Sequence, residues 1–383
     1  MEPENPVTQQ LLTMKEQIRE DIKFYFDDFL DLHDRKLWHQ LTLKLEKFVL
    51  DPNSGPYLLP FFEHFVKTLQ SKINPLKYVS IALVVAHQCE NSAKSIEFLN
   101  ETAEKMDAPS SREAHILASM EIASHILLSG SSEGVKAIVE KCQEALDRLP
   151  HVETIIYAHF YRVAAELYKA QGDFAKYYNH SLLYLSCINV EDLLEKEKVS
   201  RAYDLSLSAL LGDTIYNFGE LLMHPVSESL KDSEHDWLYK LLLVFNRGEI
   251  GKFDSLVPHF SKQPLLETHM ESLKKKLILM ALVEYIFNQK TDSRVLSFQS
   301  IAQECRITLI EVEHVIMRAL SLGLIKGSID QVTQTVSVSW VQPRYLDKTQ
   351  LSTLHEKLKA WSCKADTIYD FIQTLNPEIV NPQ

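Results

Sequence analysis

The spacing of apolar residues constrains this chain more than any other feature of its sequence. From Leu11 to about Phe287 they recur every three or four residues, and short polar or glycine-containing breaks interrupt the pattern. This period places apolar side chains on one face of an α-helix. At one break, Gly172 suits the left-handed end of a helix and Asp173 suits the cap of the next. The pattern therefore predicts consecutive helices that pack in pairs.

The breaks fall at irregular intervals, so the helix pairs follow no strict repeat length. Stacked pairs of this kind are typical of solenoids similar to tetratricopeptide repeats. We expect residues 1–170 to form such an N-terminal helical-repeat arm and residues 171–290 to continue as helices. The alternative is an ordinary helical bundle whose concave face binds nothing, because any all-α core needs amphipathic helices.

Further along the chain the pattern changes to two short helices followed by a β-hairpin. Thr308 and Glu311 form the capping-box pair that starts a helix, and Gly323 suits its C-terminal end. Two short β-prone runs follow, joined by turn residues, and the second of them is Thr335–Trp340. Two helices and a hairpin in this order predict a winged helix over residues 295–342.

The second β-prone run alternates between polar and apolar side chains, which is the pattern of a strand with one buried face. We expect Val336, Val338 and Trp340 to face the core and the intervening threonine and serines to face solvent. No other part of the sequence shows convincing β-structure. The predicted fold class is therefore mainly α.

A long amphipathic helix with a short tail is predicted over residues 346–383. Its apolar positions alternate in gaps of three and four residues, which is the register of helices that associate lengthwise. The alternative is that this helix folds back onto its own winged helix. We call its apolar stripe the seam, which consists of Leu351, Leu354, Leu358, Trp361, Ala365, Ile368, Ile372 and Leu375.

Charge argues against nucleic acid as a partner. Forty basic and 52 acidic residues give the chain a net charge of −12, and this field opposes non-specific attraction to nucleic acid or anionic lipid. The predicted winged helix is acidic as well, because its basic residues, Arg306, Arg318 and Lys326, are outnumbered by acidic ones. A fold that reads DNA through a helix normally presents Lys or Arg to the phosphates. We therefore expect this module to bind proteins.

No catalytic or metal-binding motif is found in the sequence. Nucleophile elbow, phosphate-binding loop, H-E-x-x-H and H-x-H motifs are absent, and the histidines show no helical metal-binding pair. Five scattered cysteines indicate a reducing compartment. Neither a secretory signal nor an apolar stretch of about 18 residues is present. We expect a non-enzymatic protein of the cytoplasm and nucleus that uses no cofactor or metal and contacts no membrane.

Several blocks of sequence carry a resemblance to a known family. They are Lys36–Leu43 (KLWHQLTL), Phe218–Val226 (FGELLMHPV), Gly323–Asp330 (GLIKGSID) and Trp340–Arg344 (WVQPR). Together with helix pairs that run into a winged helix, they resemble the PCI proteins, which are scaffold subunits of the proteasome lid, the COP9 signalosome and a translation initiation factor. The blocks are most similar to one type of proteasome lid subunit. The N-terminal thirty residues match the family less clearly, so their fold and contacts do not follow from the resemblance.

The resemblance implies a non-catalytic structural subunit of the lid of the proteasome regulatory particle, which supports ATP-dependent degradation of ubiquitylated proteins. It implies a PCI domain over residues 171–345 and a hetero-oligomer with lid subunits of the PCI and MPN types. A ubiquitin receptor is a further candidate partner. The alternatives are a scaffold subunit of another PCI complex, of the COP9 signalosome or translation initiation factor type, and a nucleic-acid-binding winged-helix protein.

The resemblance also implies two contact surfaces. In this family the wing strands extend a sheet from one subunit to the next, and the C-terminal helices gather in one bundle. An unpaired strand edge offers backbone donors and acceptors to another chain, which is the physical reason for the first surface. The seam would form the second. The predicted wing-edge residues are Lys326, Ser328, Thr335, Ser337 and Ser339.

Overall fold

The computed structural model describes residues 6–17, 20–88, 92–106, 111–231, 233–289, 295–342 and 348–375. The chain divides into two compact units, Met1–Leu193 and Leu194–Gln383. Both consist mainly of α-helices, and the second contains a small antiparallel sheet. The predicted fold class, mainly α with helix pairs followed by a winged helix and a long C-terminal helix, is confirmed. The boundary predicted at residues 170 and 171 stays a prediction.

The first unit is a succession of α-helices with short 3₁₀ helices at Val66–Leu69 and Val190–Asp192. Its helices are α1 (Pro6–Gln17), α2 (Glu20–Asp34), α3 (Trp38–Leu50), α4 (Gly55–His64), α5 (Pro75–His87), α6 (Ser92–Glu104), α7 (Arg112–Leu128), α8 (Glu133–Asp147), α9 (Thr154–Gln171) and α10 (Phe174–Cys187). Neighbours in sequence pack against each other, as with α6 on α7 and α9 on α10. The predicted helix pairs are therefore present.

The turn between α9 and α10 forms as its sequence predicts. Gly172 ends α9 in the left-handed conformation, at a φ of 74°. The carboxylate of Asp173 accepts a hydrogen bond from the backbone N–H of Lys176 at 3.2 Å. This bond satisfies one of the backbone groups that the start of a helix leaves without a partner, and the left-handed glycine lets the chain turn within a few residues.

An aromatic cluster joins the first helices of this unit. Phe26 and Phe29 of α2, Phe48 of α3 and Phe61 of α4 are all fully buried. The ring centroids of Phe48 and Phe61 lie 5.1 Å apart, and those of Phe26 and Phe61 lie 5.4 Å apart. Edge-to-face pairs at such distances add to the free energy gained from burial alone. The cluster anchors α2 to the helices that follow it.

The second unit begins with helices and ends with the winged helix and a long helix. Its helices are α11 (Glu195–Leu211), α12 (Phe218–Met223), α13 (Pro225–Glu228), α14 (Asp236–Arg247), α15 (Ile250–Leu256), α16 (Pro264–Thr268), α17 (Met270–Asn288), α18 (Phe298–Cys305), α19 (Leu309–Ser321) and α20 (Lys348–Leu375), with a 3₁₀ helix at Val257–Lys262. The strands are β1 (Val295–Ser297), β2 (Ile325–Asp330) and β3 (Thr335–Val341). No helix in the described part of the chain is both long and apolar enough to cross a membrane.

The winged helix is confirmed, and it has one strand more than predicted. The three strands pair antiparallel in the order β1-β3-β2. Their inner face packs on α17, α18 and α19 through side chains that include Val336, Ile301 and Ile316. Sequence reasoning missed β1 because three residues are too short to show alternation. Its last residue, Ser297, also caps α18, because its hydroxyl accepts a hydrogen bond from the Ser300 N–H at 3.2 Å.

A buried lysine closes the C-terminal end of α11. The ammonium of Lys276, on α17, donates to the carbonyl oxygens of Ala209 at 2.7 Å, Leu210 at 3.1 Å and Gly212 at 2.7 Å. Its nitrogen also lies 5.1 Å from the centre of the Phe218 ring. These carbonyls are among the groups that a helix end leaves without intrahelical partners. Burial lowers the pKa of Lys276 to about 7.

Gly248 allows α14 and α17 to approach closely. It follows the last residue of α14 at a φ of 66°, and a Cβ atom there would lie 2.5 Å from the Cα atom of Ala281. We expect Gly248→Ala to lower the free energy of unfolding by about 3 kcal/mol, since it adds a left-handed alanine and a backbone clash. Urea denaturation of the full chain measures this loss.

Gly323 provides the matched control. It has a similar φ of 68°, but a Cβ atom there would meet nothing within 4 Å. Gly323→Ala is therefore expected to cost about 1 kcal/mol, the conformational part alone. Equal losses for the two variants would contradict the close approach of α14 and α17.

Candidate protein-interaction surfaces

The β2–β3 hairpin presents a polar face to solvent. Ser328 lies opposite Ser337, and Asp330 lies opposite Thr335. Four of the five predicted wing-edge residues, Lys326, Ser328, Ser337 and Ser339, are exposed, and Thr335 is half-buried. Val336 and Val338 point the other way and are buried in the core, as predicted. The structure thus brings the five predicted residues together on one hairpin.

A β-bulge corrects the prediction for Trp340. The register of β2 on β3 shifts between Lys326 and Gly327, so Trp340 lies opposite Lys326 and is 37% exposed. The Lys326 nitrogen lies 4.9 Å from the centre of the Trp340 ring. The bulge adds one residue to β3, and the side chain after it points to the other face of the sheet. Strict alternation therefore placed Trp340 on the wrong face. A Cβ atom on Gly327 would lie 2.2 Å from the carbonyl oxygen of Ser337, so the close approach of the two strands at the bulge requires glycine.

The strand order decides where a further strand can pair. β3 is the inner strand, and its segment Thr335–Ser337 pairs with β1 on one side and β2 on the other. β2 is an edge strand, so one side of its backbone has no strand neighbour among the described residues. Of the predicted residues, Lys326 and Ser328 lie on this edge. Which of them contacts another chain stays a prediction.

The second helix of the winged helix carries little positive charge. Glu311 caps its start and accepts hydrogen bonds from the backbone N–H of Thr308 at 3.0 Å and from its hydroxyl at 2.8 Å. These bonds hold the pKa of Glu311 below its ordinary value. The exposed residues of this helix include Ile310 and Met317. An apolar and acidic helix face suits a protein partner better than DNA phosphates.

The C-terminal helix exposes its seam. α20 spans 28 residues, and every side chain whose exposure is described on it is exposed. The large seam residues from Leu351 to Ile372 are 42% to 71% exposed, with Trp361 the most exposed. The side chain of Leu375 lies outside the described residues. This exposure disfavours the alternative in which the helix folds back onto its own winged helix.

Two aromatic residues widen the seam, and the sequence pattern did not single them out. Tyr369 is 53% exposed and Phe371 is 63% exposed. The seam residues occupy the two core positions of a heptad. Tyr369 and Phe371 occupy the two positions that flank this core. A search of the flanking positions for aromatic side chains would have found them. The apolar stripe is therefore broader at the C-terminal half of α20 than the heptad core alone.

A buried cluster around Glu121 was also missed. Glu121 lies on α7 and is completely buried, beside His87 of α5 and Arg162 of α9. Burial disfavours its charged form, yet the neighbouring His159, His87 and Arg162 hold the pKa of Glu121 well below its ordinary value. The sequence signal was the spacing of Glu121 and His125, one helical turn apart on α7. The spacing of histidines alone does not reveal the cluster, because one member of this pair is a glutamate.

Comparison with known proteins gives consistent matches. The family model for PSD13 N-terminal repeats matches residues 25–242, and the model for the PCI domain matches residues 254–340. The "Probable 26S proteasome regulatory subunit rpn9" of Schizosaccharomyces pombe is 41% identical, and the match covers 87% of each chain. The "26S proteasome non-ATPase regulatory subunit 13 homolog A" of Arabidopsis thaliana is 36% identical over 93% of this chain and 95% of its own.

The similarity separates the proteasome proteins from the subunits of other PCI complexes. The "26S proteasome regulatory subunit RPN9" of Saccharomyces cerevisiae is 35% identical, and the match covers 94% of each chain. The COP9 signalosome complex subunit 7 of Dictyostelium discoideum is 28% identical over only 44% of this chain. The predicted resemblance to a proteasome lid subunit is therefore confirmed, and the chain belongs to the PSD13 family of 26S proteasome non-ATPase regulatory subunits, with a PCI domain at its C-terminal side.

Proposed function

We propose that this chain is a non-catalytic structural subunit of the lid of the 26S proteasome regulatory particle. In that role it supports lid assembly and so the ATP-dependent degradation of ubiquitylated proteins. The observation that carries the proposal is the exposed seam of α20 in a member of the PSD13 family. A structural subunit works through surfaces that bind its neighbours. The apolar side chains of the seam are exposed to water, which is unfavourable, so another protein would be expected to cover them.

The seam supports assembly through a helical bundle. Its large side chains recur at the spacing that lets helices interlock lengthwise, and all that are described are exposed. Apolar side chains at this density on one helix gain free energy when another helix covers them. We propose that the C-terminal helices of other lid subunits provide that cover, with Leu351, Leu354, Leu358, Trp361, Ile368, Ile372 and Leu375 as contacts.

The wing supports a second contact. An edge strand such as β2 can accept a strand from another chain, and its polar outer face suits a surface that is also stable in water. We propose that Lys326 and Ser328 on β2, with Thr335, Ser337 and Ser339 on β3, lie at the contact with a neighbouring winged helix. Main-chain hydrogen bonds across the edge would then continue the sheet into that neighbour.

Three segments of the chain would have different roles. We propose residues 1–170 as the arm, 171–345 as the PCI domain and 346–383 as the bundle helix and tail. The partners are lid subunits of the PCI and MPN types, and a ubiquitin receptor is a candidate partner of the arm. The chain would act in the cytoplasm and nucleus, where such complexes work.

Purification from cells tests the proposal. A tagged full-length chain, isolated under native conditions, is expected to bring down subunits of the proteasome regulatory particle in equal amounts, as judged by quantitative mass spectrometry. The expectation follows from an exposed seam that is stable only when covered. The matched control is the same purification with the tag on an unrelated protein.

Other outcomes of this purification would contradict the proposal. Recovery with subunits of the COP9 signalosome or of a translation initiation factor would assign the chain to another PCI complex. Recovery of the chain alone, as a monomer, would remove the structural role altogether.

A further inference from the structure

The Glu121 cluster lies where three helices of the first unit meet. His87 ends α5, Glu121 and His125 lie one turn apart on α7, and Arg162 projects from α9. One ligand atom from each of His87, Glu121 and His125 lies within 4.8 Å of the other two. Two imidazoles and a carboxylate converge on a small volume in this way, which is a common ligand set of zinc.

The two oxygens of the Glu121 carboxylate have different surroundings. Oε2 accepts a hydrogen bond from Nη2 of Arg162 at 2.9 Å, and Nδ1 of His159 lies 3.6 Å from it. Oε1 lies 3.0 Å from Nε2 of His87, with which it forms an ion pair when that imidazole is protonated. Arg162 therefore fixes the orientation of the carboxylate through one oxygen and leaves the other directed at the histidines.

The nitrogen of His125 is the second observation that points to a ligand. Its side chain is buried, only 7% exposed, and its Nε2 has no hydrogen-bond partner. A buried polar atom without a partner costs roughly 1 to 3 kcal/mol, so native proteins rarely keep one without a use.

We propose that His87, Glu121 and His125 form a zinc-binding site in the first unit. Neighbouring ligand atoms of a tetrahedral zinc lie about 3.3 Å apart, so the three side chains need only small rotations to close on the ion. The side chain of His87 is 53% exposed, which gives an ion a route from solvent and leaves room for water as the fourth ligand. Arg162 acts as a positioning residue that holds Oε2 outside the site.

The alternative to a zinc site is a cluster whose side-chain charges balance one another without a metal, which we call a closed ion cluster. In that arrangement the positive charge of Arg162 and a protonated His87 balance Glu121, and no metal enters. The two accounts differ in what zinc does to the folded protein. A zinc ion that binds only the folded chain raises its melting temperature, whereas a closed cluster gives no such response.

Zinc titration of the full-length chain tests the site. With a chromophoric chelator as competitor, we expect one zinc ion to bind per chain and to raise the melting temperature. His125→Asn removes one ligand and should weaken zinc binding at least tenfold, because each ligand of such a site contributes strongly. The matched control is His115→Asn, a half-buried histidine on the same helix that lies beside Ser119, outside the cluster.

A second variant and a spectroscopic probe keep the test independent of folding. His87→Asn changes a half-exposed residue at a helix end, so the variant should fold normally and also lose at least tenfold in affinity. Cobalt in place of zinc should give the intense visible bands of a tetrahedral site without a thiolate charge-transfer band, since no cysteine is a ligand. The proposal is overturned if the wild-type chain binds no zinc, or if both variants bind it as tightly as His115→Asn does.

Discussion

A variant with Leu358 and Trp361 both changed to aspartate is expected to lose its place in the regulatory particle while it keeps the melting temperature of the wild-type chain. Both side chains are exposed, at 56% and 71%, so the isolated chain gains little stability from them. If they are buried between helices in the assembly, each contributes about 2 kcal/mol or more to association. Together they would weaken it roughly a thousandfold.

Native gels and size-exclusion chromatography of cell extracts measure this loss. The tagged variant should migrate as a free chain, whereas the tagged wild type migrates with the regulatory particle. Differential scanning fluorimetry of the purified chains supplies the second measurement. A fall in the melting temperature of the isolated variant would assign the two residues to an internal core.

A matched control lies on the same turns of α20. Ala360→Asp together with Cys363→Asp introduces the same change in charge, but these positions lie on the face opposite the seam. We expect this control to enter the regulatory particle as the wild type does. If the control variant also failed to enter the regulatory particle, the charge of α20, and not its apolar seam, would govern assembly.

Lys276→Met is expected to lower the free energy of unfolding by about 3 kcal/mol at neutral pH. Methionine fills nearly the same space but donates no hydrogen bond, so the carbonyl oxygens of Ala209, Leu210 and Gly212 are left without their donor. The negative end of the α11 dipole also loses the cation beside it. Urea denaturation of the full chain, followed by circular dichroism, measures the loss.

Stability should also vary with pH in a way that depends on Lys276. Its pKa is about 7 in the folded chain against 10.5 as the ordinary value. Between these values the unfolded chain binds more protons than the folded chain, so the free energy of unfolding rises as the pH rises through this window. Lys276→Met lacks this contribution, and the difference between wild type and variant should therefore grow from neutral to alkaline pH.

Lys275→Met is the matched control for this effect. Lys275 is the preceding residue on α17 and is exposed. Its substitution removes the same charge without touching a buried carbonyl, so its stability and pH profile should follow those of the wild type. An equal loss in both variants would mean that net charge, and not the end of α11, explains the result.

Much of the fold could be predicted because its determinants are local. The period of apolar residues identified the helix pairs, and the glycine and aspartate between α9 and α10 marked their ends. The capping pair Thr308 and Glu311 located α19, and the alternation after it located the hairpin. Each of these signals lies within a few residues, so no knowledge of distant contacts was needed.

The features that escaped prediction depend on residues far apart in the chain. Three lysines adjoin on α17, and only the packing of α11 decides that Lys276 is the buried one. The side of Trp340 depends on a bulge that involves the partner strand. Glu121 and His87 meet only because α5 and α7 pack together. Local pattern carries no information about such contacts.

The length of α20 has a consequence for the reach of the subunit. A helix of 28 residues is about 42 Å long at a rise of 1.5 Å per residue, which exceeds the diameter of a typical small domain. Contacts at the two ends of this helix are therefore separated by about 42 Å. One helix of this length offers enough surface for more than one partner helix along its axis.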